Sequence, residues 1–153
     1  MKNNFGFVLV KPQLGENIGA CARSLKNFGF SKLKIVSPKQ AWPNNKAKVT
    51  SVGAYEIIKN TKIFNNTKSA IGDFDIVISL SARKRDINKK HISMNQFFKI
   101  IQSRKNTKFG LMFGPEASGL SNDDLSLSNY VLQIPTSKKF KSLNLSHSLT
   151  VVC

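Results

Sequence analysis

Acidic side chains are scarce in this sequence. Eight Asp and Glu stand against 24 Lys and Arg in 153 residues, a formal net charge of +16. Most of those acids read as surface or helix-cap groups, which argues against an active site built on paired catalytic carboxylates. Cysteine and histidine are as thin, at two each. Cys21 and Cys153 lie at opposite ends of the chain without a CxxC pattern, and His91 and His147 are not spaced as ligands, so no zinc or other metal site is expected. Free thiols point to a reducing cytosol. No stretch approaches the ~20 apolar residues of a membrane span. The segment Met1–Phe5 runs straight into a strand pattern without a signal peptide, so the expectation is a cytoplasmic protein with no membrane partner. Walker, GxGxxG and G-x-S-x-G patterns are all lacking. That argues against a P-loop phosphate site, an ordinary dinucleotide fingerprint and a hydrolase nucleophile elbow. There is no internal repeat and no low-complexity linker.

What is present is one domain's length, 1–153, with 41% hydrophobic and 21% charged residues, an ordinary globular balance. The sign of the charge is not ordinary. A lysine-rich solubilising surface is one reading; a polyanionic partner, most often nucleic acid, is the other, and an excess this large for one domain favours it.

Short apolar runs predict strands at Phe5–Val10, Leu33–Val36, Asp75–Leu80, Phe109–Phe113 and Tyr130–Ile134, with at best a short one at Ile63-Phe64. Helical spacing runs from Asn17 through Ile18, Cys21, Ala22, Leu25 and Phe28 and stops at Gly29. Further helices are expected near Lys46–Ser51, Tyr55–Ile58, Lys68–Gly72, Met94–Ile101 and Asn122–Leu127, the last with Asp123 and Asp124 where the helix dipole favours them. Lys84, Arg85, Lys89, Lys90 and His91 read as a polar, basic loop. Continuous apolar strands alternating with helices predict an α/β fold with a mostly parallel sheet flanked by helices. Ligands in such folds bind beyond the carboxyl ends of the strands. The segments after Leu80, Phe113 and Ile134 all fall there.

Small and polar residues gather in Asn17-Ile18-Gly19-Ala20 with Arg23, in Phe113-Gly114-Pro115-Glu116 with Gly119-Leu120-Ser121, and in Ser142-Leu143-Asn144-Leu145-Ser146. Singly, each has a plain reading. Asn17, Ser142 and Asn144 are good helix caps. Arg23 suits a surface, Glu116 the start of a helix, and His147 a helix surface or the core. The combination changes the weighing.

Taken in order, these segments resemble the three motifs of the SpoU, or TrmH-like, branch of the SPOUT RNA methyltransferases, over nearly the whole chain. The resemblance is strongest to the TrmJ group of tRNA (cytidine/uridine-2′-O-)methyltransferases, through Gly15–Ala20, Lys26-Asn27-Phe28-Gly29, Trp42-Pro43 with Lys46-Ala47, and Ser81-Ala82-Arg83 with Arg85-Asp86. It implies a C-terminal trefoil knot, a homodimer and S-adenosyl-L-methionine (SAM) as cofactor. Carried over by position, the cofactor loops are Leu80-Ser81-Ala82, Gly114 with Glu116, Ile134, and Lys141-Ser142-Leu143. Asn17, Arg23, Glu116, Ser142 and Asn144 match positions linked to catalysis and substrate placement. The final helix normally runs on past the position of Cys153, so a shortened last helix is expected. Arg23, Arg83, Lys84, Arg85, Lys138, Lys139 and Lys141 would meet RNA phosphates. The implied reaction is 2′-O-ribose methylation of tRNA, at nucleotide 32 of the anticodon loop. Arg23 keeps its charge in ordinary surroundings, which suits gripping a phosphate and orienting the hydroxyl. The motifs are shared by enzymes acting on other tRNA or rRNA riboses, and a non-catalytic RNA-binding protein on the same scaffold is the alternative outside enzymology.

Overall fold

A computed structural model describes residues 2–82 and 87–153. Its elements, in chain order, are β1 Phe5–Val10, α1 Gly15–Asn27, β2 Leu33–Val36, α2 Asn45–Thr50, α3 Tyr55–Lys59, β3 Lys62–Phe64, α4 Thr67–Ile71, β4 Ile76–Ser81, β5 Lys90–Ile92, α5 Met94–Ser103, β6 Phe109–Phe113, α6 Asn122–Ser126, β7 Tyr130–Gln133 and α7 Leu145–Val152. The predicted strands and helices are all there, with shifted ends. β5 was not expected. It forms inside the segment read as a basic loop, because Ile92 is buried and the strand pairs with β7 through His91↔Val131 and Ile92↔Leu132.

The sheet order is β3-β2-β1-β6-β4-β7-β5, and each pairing among the described residues is parallel. β6 is inserted between β1 and β4, where the strand order reverses, and β4 and β7 follow. The three loops singled out in the sequence therefore leave adjacent strands. Registers such as Ser79↔Met112 and Ser81↔Gln133 align the carboxyl ends of β6, β4 and β7.

Strand periodicity divides the core. Phe5, Phe7 and Leu9 point to one face with Ile35, Ile78, Leu111 and Leu132, against α1, α5 and α7. Val8, Val10, Val36, Val77, Met112 and Val131 point to the other, against Ala70 and Ile71 of α4 and Leu125 of α6. Burial of each such side chain is worth roughly 1.5–3 kcal/mol. On the thinner second face the Lys34 ammonium donates to the Ala70 carbonyl at 2.8 Å, pairs with Asp73 and lies 4.4 Å from the Phe74 ring centroid.

α1 determines where the site forms. Ile18, Cys21, Ala22 and Leu25 are its buried stripe. At Gly19 an added Cβ would fall on Thr50 Oγ1 and the Ala47 carbonyl, so α1 and α2 cross at backbone distance. Gly29, at φ +76, turns the chain out of the helix. α7 lies along α1 and is joined to it by Ser24 Oγ and Thr150 Oγ1, 2.7 Å apart. Leu145, Leu149 and Val152 are buried within the chain, leaving Val151 exposed on that helix.

Candidate active site

A cavity of about 270 Å³ opens at the carboxyl ends of β4, β6 and β7. Its walls come from Leu80-Ser81-Ala82, from Phe113 to Leu120, and from Ile134, Thr136, Lys141, Ser142, Leu143, Leu145 and Ser148. Every residue assigned to the cofactor loops lines it. The size is near the lower end of small-molecule sites. Gly114 lets the second loop fold back on itself, since a Cβ there would land on the backbone nitrogen of Leu120.

Glu116 joins this loop to the start of α1. Its Oε2 accepts from the backbone N–H of Gln13 at 2.8 Å, and its Oε1 from Leu14 N at 3.3 Å and Asn17 Nδ2 at 2.9 Å. Asn17 Oδ1 accepts in turn from Asn144 Nδ2 at 3.0 Å. Asn144 Oδ1 takes the backbone N–H and hydroxyl of Ser146 at 2.9 and 2.7 Å, capping α7. One polar chain thus runs Glu116–Asn17–Asn144–Ser146 through all three motifs.

Two expectations are corrected here. Asn17 is not the cap of α1, which begins at Gly15 with Leu14 in the cap position and no side-chain cap of its own. The Glu116 carboxylate, about a hundred residues away in sequence, takes the Gln13 and Leu14 N–H groups instead. Glu116 itself begins no helix; α6 starts only at Asn122, capped by Ser121. With its oxygens held by three protein donors, Glu116 is built to tie loops together.

Gln13 went unnoticed in the sequence. Its side-chain Oε1 accepts from Ala117 N at 2.8 Å while its backbone donates to Glu116, so it grips the second loop twice. Gln40 likewise accepts from Gly15 N at 3.0 Å. No local pattern marks either residue, because both partners are remote in sequence.

Arg23 is exposed and is not among the residues that line the cavity. Ser142 lines the cavity and is exposed, and His147 sits on the exposed side of α7. Lys138, Lys139 and Lys141 are exposed on the loop between β7 and α7. Arg83, Lys84 and Arg85 lie outside the described residues. Both thiols are free: Cys21 is buried, and burial pushes the Cys153 thiol up to about 12.

The donor set fits SAM. Leu80, Ile134, Leu143 and Leu145 give apolar walls suited to a flat adenine, while the non-helical backbone of residues 114–120 and 134–144 supplies polar edges. No cluster of His, Cys, Asp or Glu suited to a metal ion occurs among the described residues.

The profile of the SpoU rRNA Methylase family matches residues 4–153. The tRNA (cytidine-2′-O-)-methyltransferase TrmJ of Methanocaldococcus jannaschii is 39% identical over 149 residues, covering 95% of this chain and 64% of that protein. The tRNA (cytidine/uridine-2′-O-)-methyltransferase TrmJ of Sodalis glossinidius is 33% identical over 153 residues, covering 99% and 60%. The crystal structure of TrmJ from Z. mobilis ZM4 superposes with a TM-score of 0.90 at 35% identity, covering 96% of this chain and 66% of that one. The SpoU methyltransferase AviRb from Streptomyces viridochromogenes, solved in complex with the cofactor AdoMet, shares the fold at a TM-score of 0.73 and 17% identity, covering 96% of this chain and 54% of its own. The chain spans less than two thirds of the length of each of these relatives.

Proposed function

The chain belongs to the SpoU rRNA methylase family, and from that premise we propose that it transfers a methyl group from SAM to a ribose 2′-hydroxyl of tRNA, at nucleotide 32 of the anticodon loop. The observation that carries the reading is the convergence of three loops on one cavity, tied by the Glu116–Asn17–Asn144 chain. When bound, SAM supplies an electrophilic methyl on a sulfonium. Leu80, Ser81, Ala82, Gly114, Glu116, Ile134, Lys141, Ser142 and Leu143, which line the cavity, would hold it.

The protein's task is then to present an oxygen in line with that methyl, and positioning of this kind supplies much of a transfer rate. Asn144 and Ser142 stand where the third loop meets α7 and orient the ribose. Arg23 grips the neighbouring phosphate through its planar fork and favours the ionised hydroxyl. It does so from a second subunit. α1 is flanked by α2 and α7, and Val49, Val52, Tyr55 and Val151 leave exposed apolar surface on α2, α7 and the turn into α3. We take this surface as the interface of a homodimer in which Arg23 of one copy serves the cavity of the other. The apolar residues of α7 alone are a weaker argument for dimerisation than their sequence suggests, since Leu145, Leu149 and Val152 already pack inside the chain. The passage from β7 through residues 134–144 into α7 is the part of the chain we assign to the trefoil knot. Lys141 at the cavity, with Lys138 and Lys139 exposed on the same loop, attracts the RNA backbone. A cytoplasmic setting, where tRNA and SAM are both found, completes the proposal.

The test is transfer of labelled methyl from SAM to unmodified tRNA, read beside calorimetric binding of the cofactor. Incorporation that depends on the protein, with saturable cofactor binding, is expected. A folded protein that binds RNA and no cofactor would instead be a binding module.

A further inference from the structure

We propose that Phe140 is a stacking platform for a nucleobase of the RNA substrate at the mouth of the cavity. The inference rests on the RNA-methylating reading and adds to it a recognition residue outside the three motifs. Phe140 is 73% exposed, the highest value among the exposed large hydrophobics of the described residues. Single exposed apolar residues are common and need no explanation by themselves. The setting of this one is particular. It stands in the run Lys138-Lys139-Phe140-Lys141, with every member exposed. Lys141 and Ser142, next along the chain, line the cavity, as does Thr136 on the approach. Among the described residues the ion pairs are Lys34–Asp73 and Lys46–Glu16, so those lysines have no carboxylate partner in them. The Lys139 N–H donates to Ser137 Oγ at 3.3 Å, shaping the turn that carries the ring.

An aromatic face between cations is the arrangement that binds single-stranded nucleic acid: the cations hold phosphates while the ring stacks on a base of any identity. An anticodon loop offers unpaired bases that can be splayed out for this contact. A base on Phe140 would fix the strand one or two nucleotides from the ribose entering the cavity, so the residue contributes to strand position as well as affinity.

The experiment uses the full chain with Phe140→Ala, Phe140→Leu and Phe140→Trp, the last in a Trp42→Phe background. Binding of unmodified tRNA is measured over a salt series, beside single-turnover methyl transfer and calorimetric affinity for S-adenosylhomocysteine. Loss of one base–aromatic stack should weaken RNA binding about tenfold in Phe140→Ala and in Phe140→Leu. The slope of affinity against salt should stay at the wild-type value in both, whereas Lys139→Ala should flatten it. Phe140→Trp should bind as wild type, with indole fluorescence quenched by RNA. Affinity for S-adenosylhomocysteine should be the same throughout. Wild-type RNA affinity in Phe140→Leu overturns the stacking role. A parallel loss of cofactor affinity would mean that the ring covers the cofactor. A change in indole fluorescence with protein concentration alone would mean that a second copy covers it. If wild-type protein methylates RNA and these variants match it, the platform falls and the parent reading stands; if wild type neither binds nor methylates RNA, both fall.

Discussion

Replacing Glu116 by Gln keeps the shape of the side chain and removes the charge that three donors converge on. The Gln13 N–H lies 2.8 Å from Oε2, with Leu14 N at 3.3 Å and Asn17 Nδ2 at 2.9 Å from Oε1. An amide must turn its NH₂ toward one side of this set. The less damaging choice keeps oxygen toward Leu14 and Asn17 and sets donor against donor at Gln13. Flipping Asn17 to compensate would break its pairing with Asn144. Hydrogen bonds to an ionised group are worth about 1.5–3 kcal/mol each, against about 1 for neutral ones. One lost and two weakened bonds in a half-buried setting come to about 2 kcal/mol of stability. For a chain of this length that lowers Tm by about 4–8 °C. Cofactor affinity should fall with it, because the loop that Glu116 anchors is one wall of the cavity. Thermal unfolding by circular dichroism and titration with S-adenosylhomocysteine read both effects. Melting and cofactor affinity unchanged in Glu116→Gln would refute the tying role, and a lost rate at unchanged stability would make Glu116 a proton acceptor instead.

Gly114→Ala should collapse the second loop, since the new methyl has no space beside Leu120 N; cofactor titration should show binding lost, while the circular dichroism spectrum of the fold remains. Arg23→Ala should leave cofactor affinity nearly intact and slow single-turnover transfer to tRNA by about a hundredfold or more, as removal of a charge-stabilising donor does, with Arg23→Lys rescuing little; a wild-type rate would make Arg23 a surface residue only. Burial alone would raise the Asp73 carboxyl, but the Lys34 ammonium outweighs it and holds the group below the usual carboxylate range. The native state therefore gains stability above the unfolded pKa of about 4 and loses it as pH falls through the lower folded value. Urea titrations from pH 6 to pH 2 should show a small loss at the acid end that Asp73→Asn removes, small because the side chain is 63% exposed.

How far the sequence carries differs from element to element. β1, β4 and β6 are legible because strands buried on both faces need unbroken apolar runs, and Gly114 directly after β6 marks the turn on the ligand side. β5 is not, because Lys90-His91-Ile92 has a single buried residue and owes its pairing to β7, 40 residues on. Neither is the sheet order: insertion of β6 between β1 and β4 is a long-range event without a local signature. The cavity-lining residues were legible as motifs, whereas the contacts that organise them were not. Asn17 has the composition of a cap, yet a carboxylate from β6's loop takes over the neighbouring N–H groups and frees Asn17 to bridge Glu116 and Asn144. Gln13 and Gln40 act only through partners brought close by the fold.

The measurement that bears most directly on the account is nucleoside mapping of tRNA transcripts after incubation with the wild-type protein and SAM, by nuclease digestion and mass spectrometry. The account predicts a single 2′-O-methylated nucleotide, at position 32 of the anticodon loop, that appears only when protein and cofactor are both present. Methylation on a base, or no methylation of tRNA or rRNA by a protein that binds the cofactor, would contradict it.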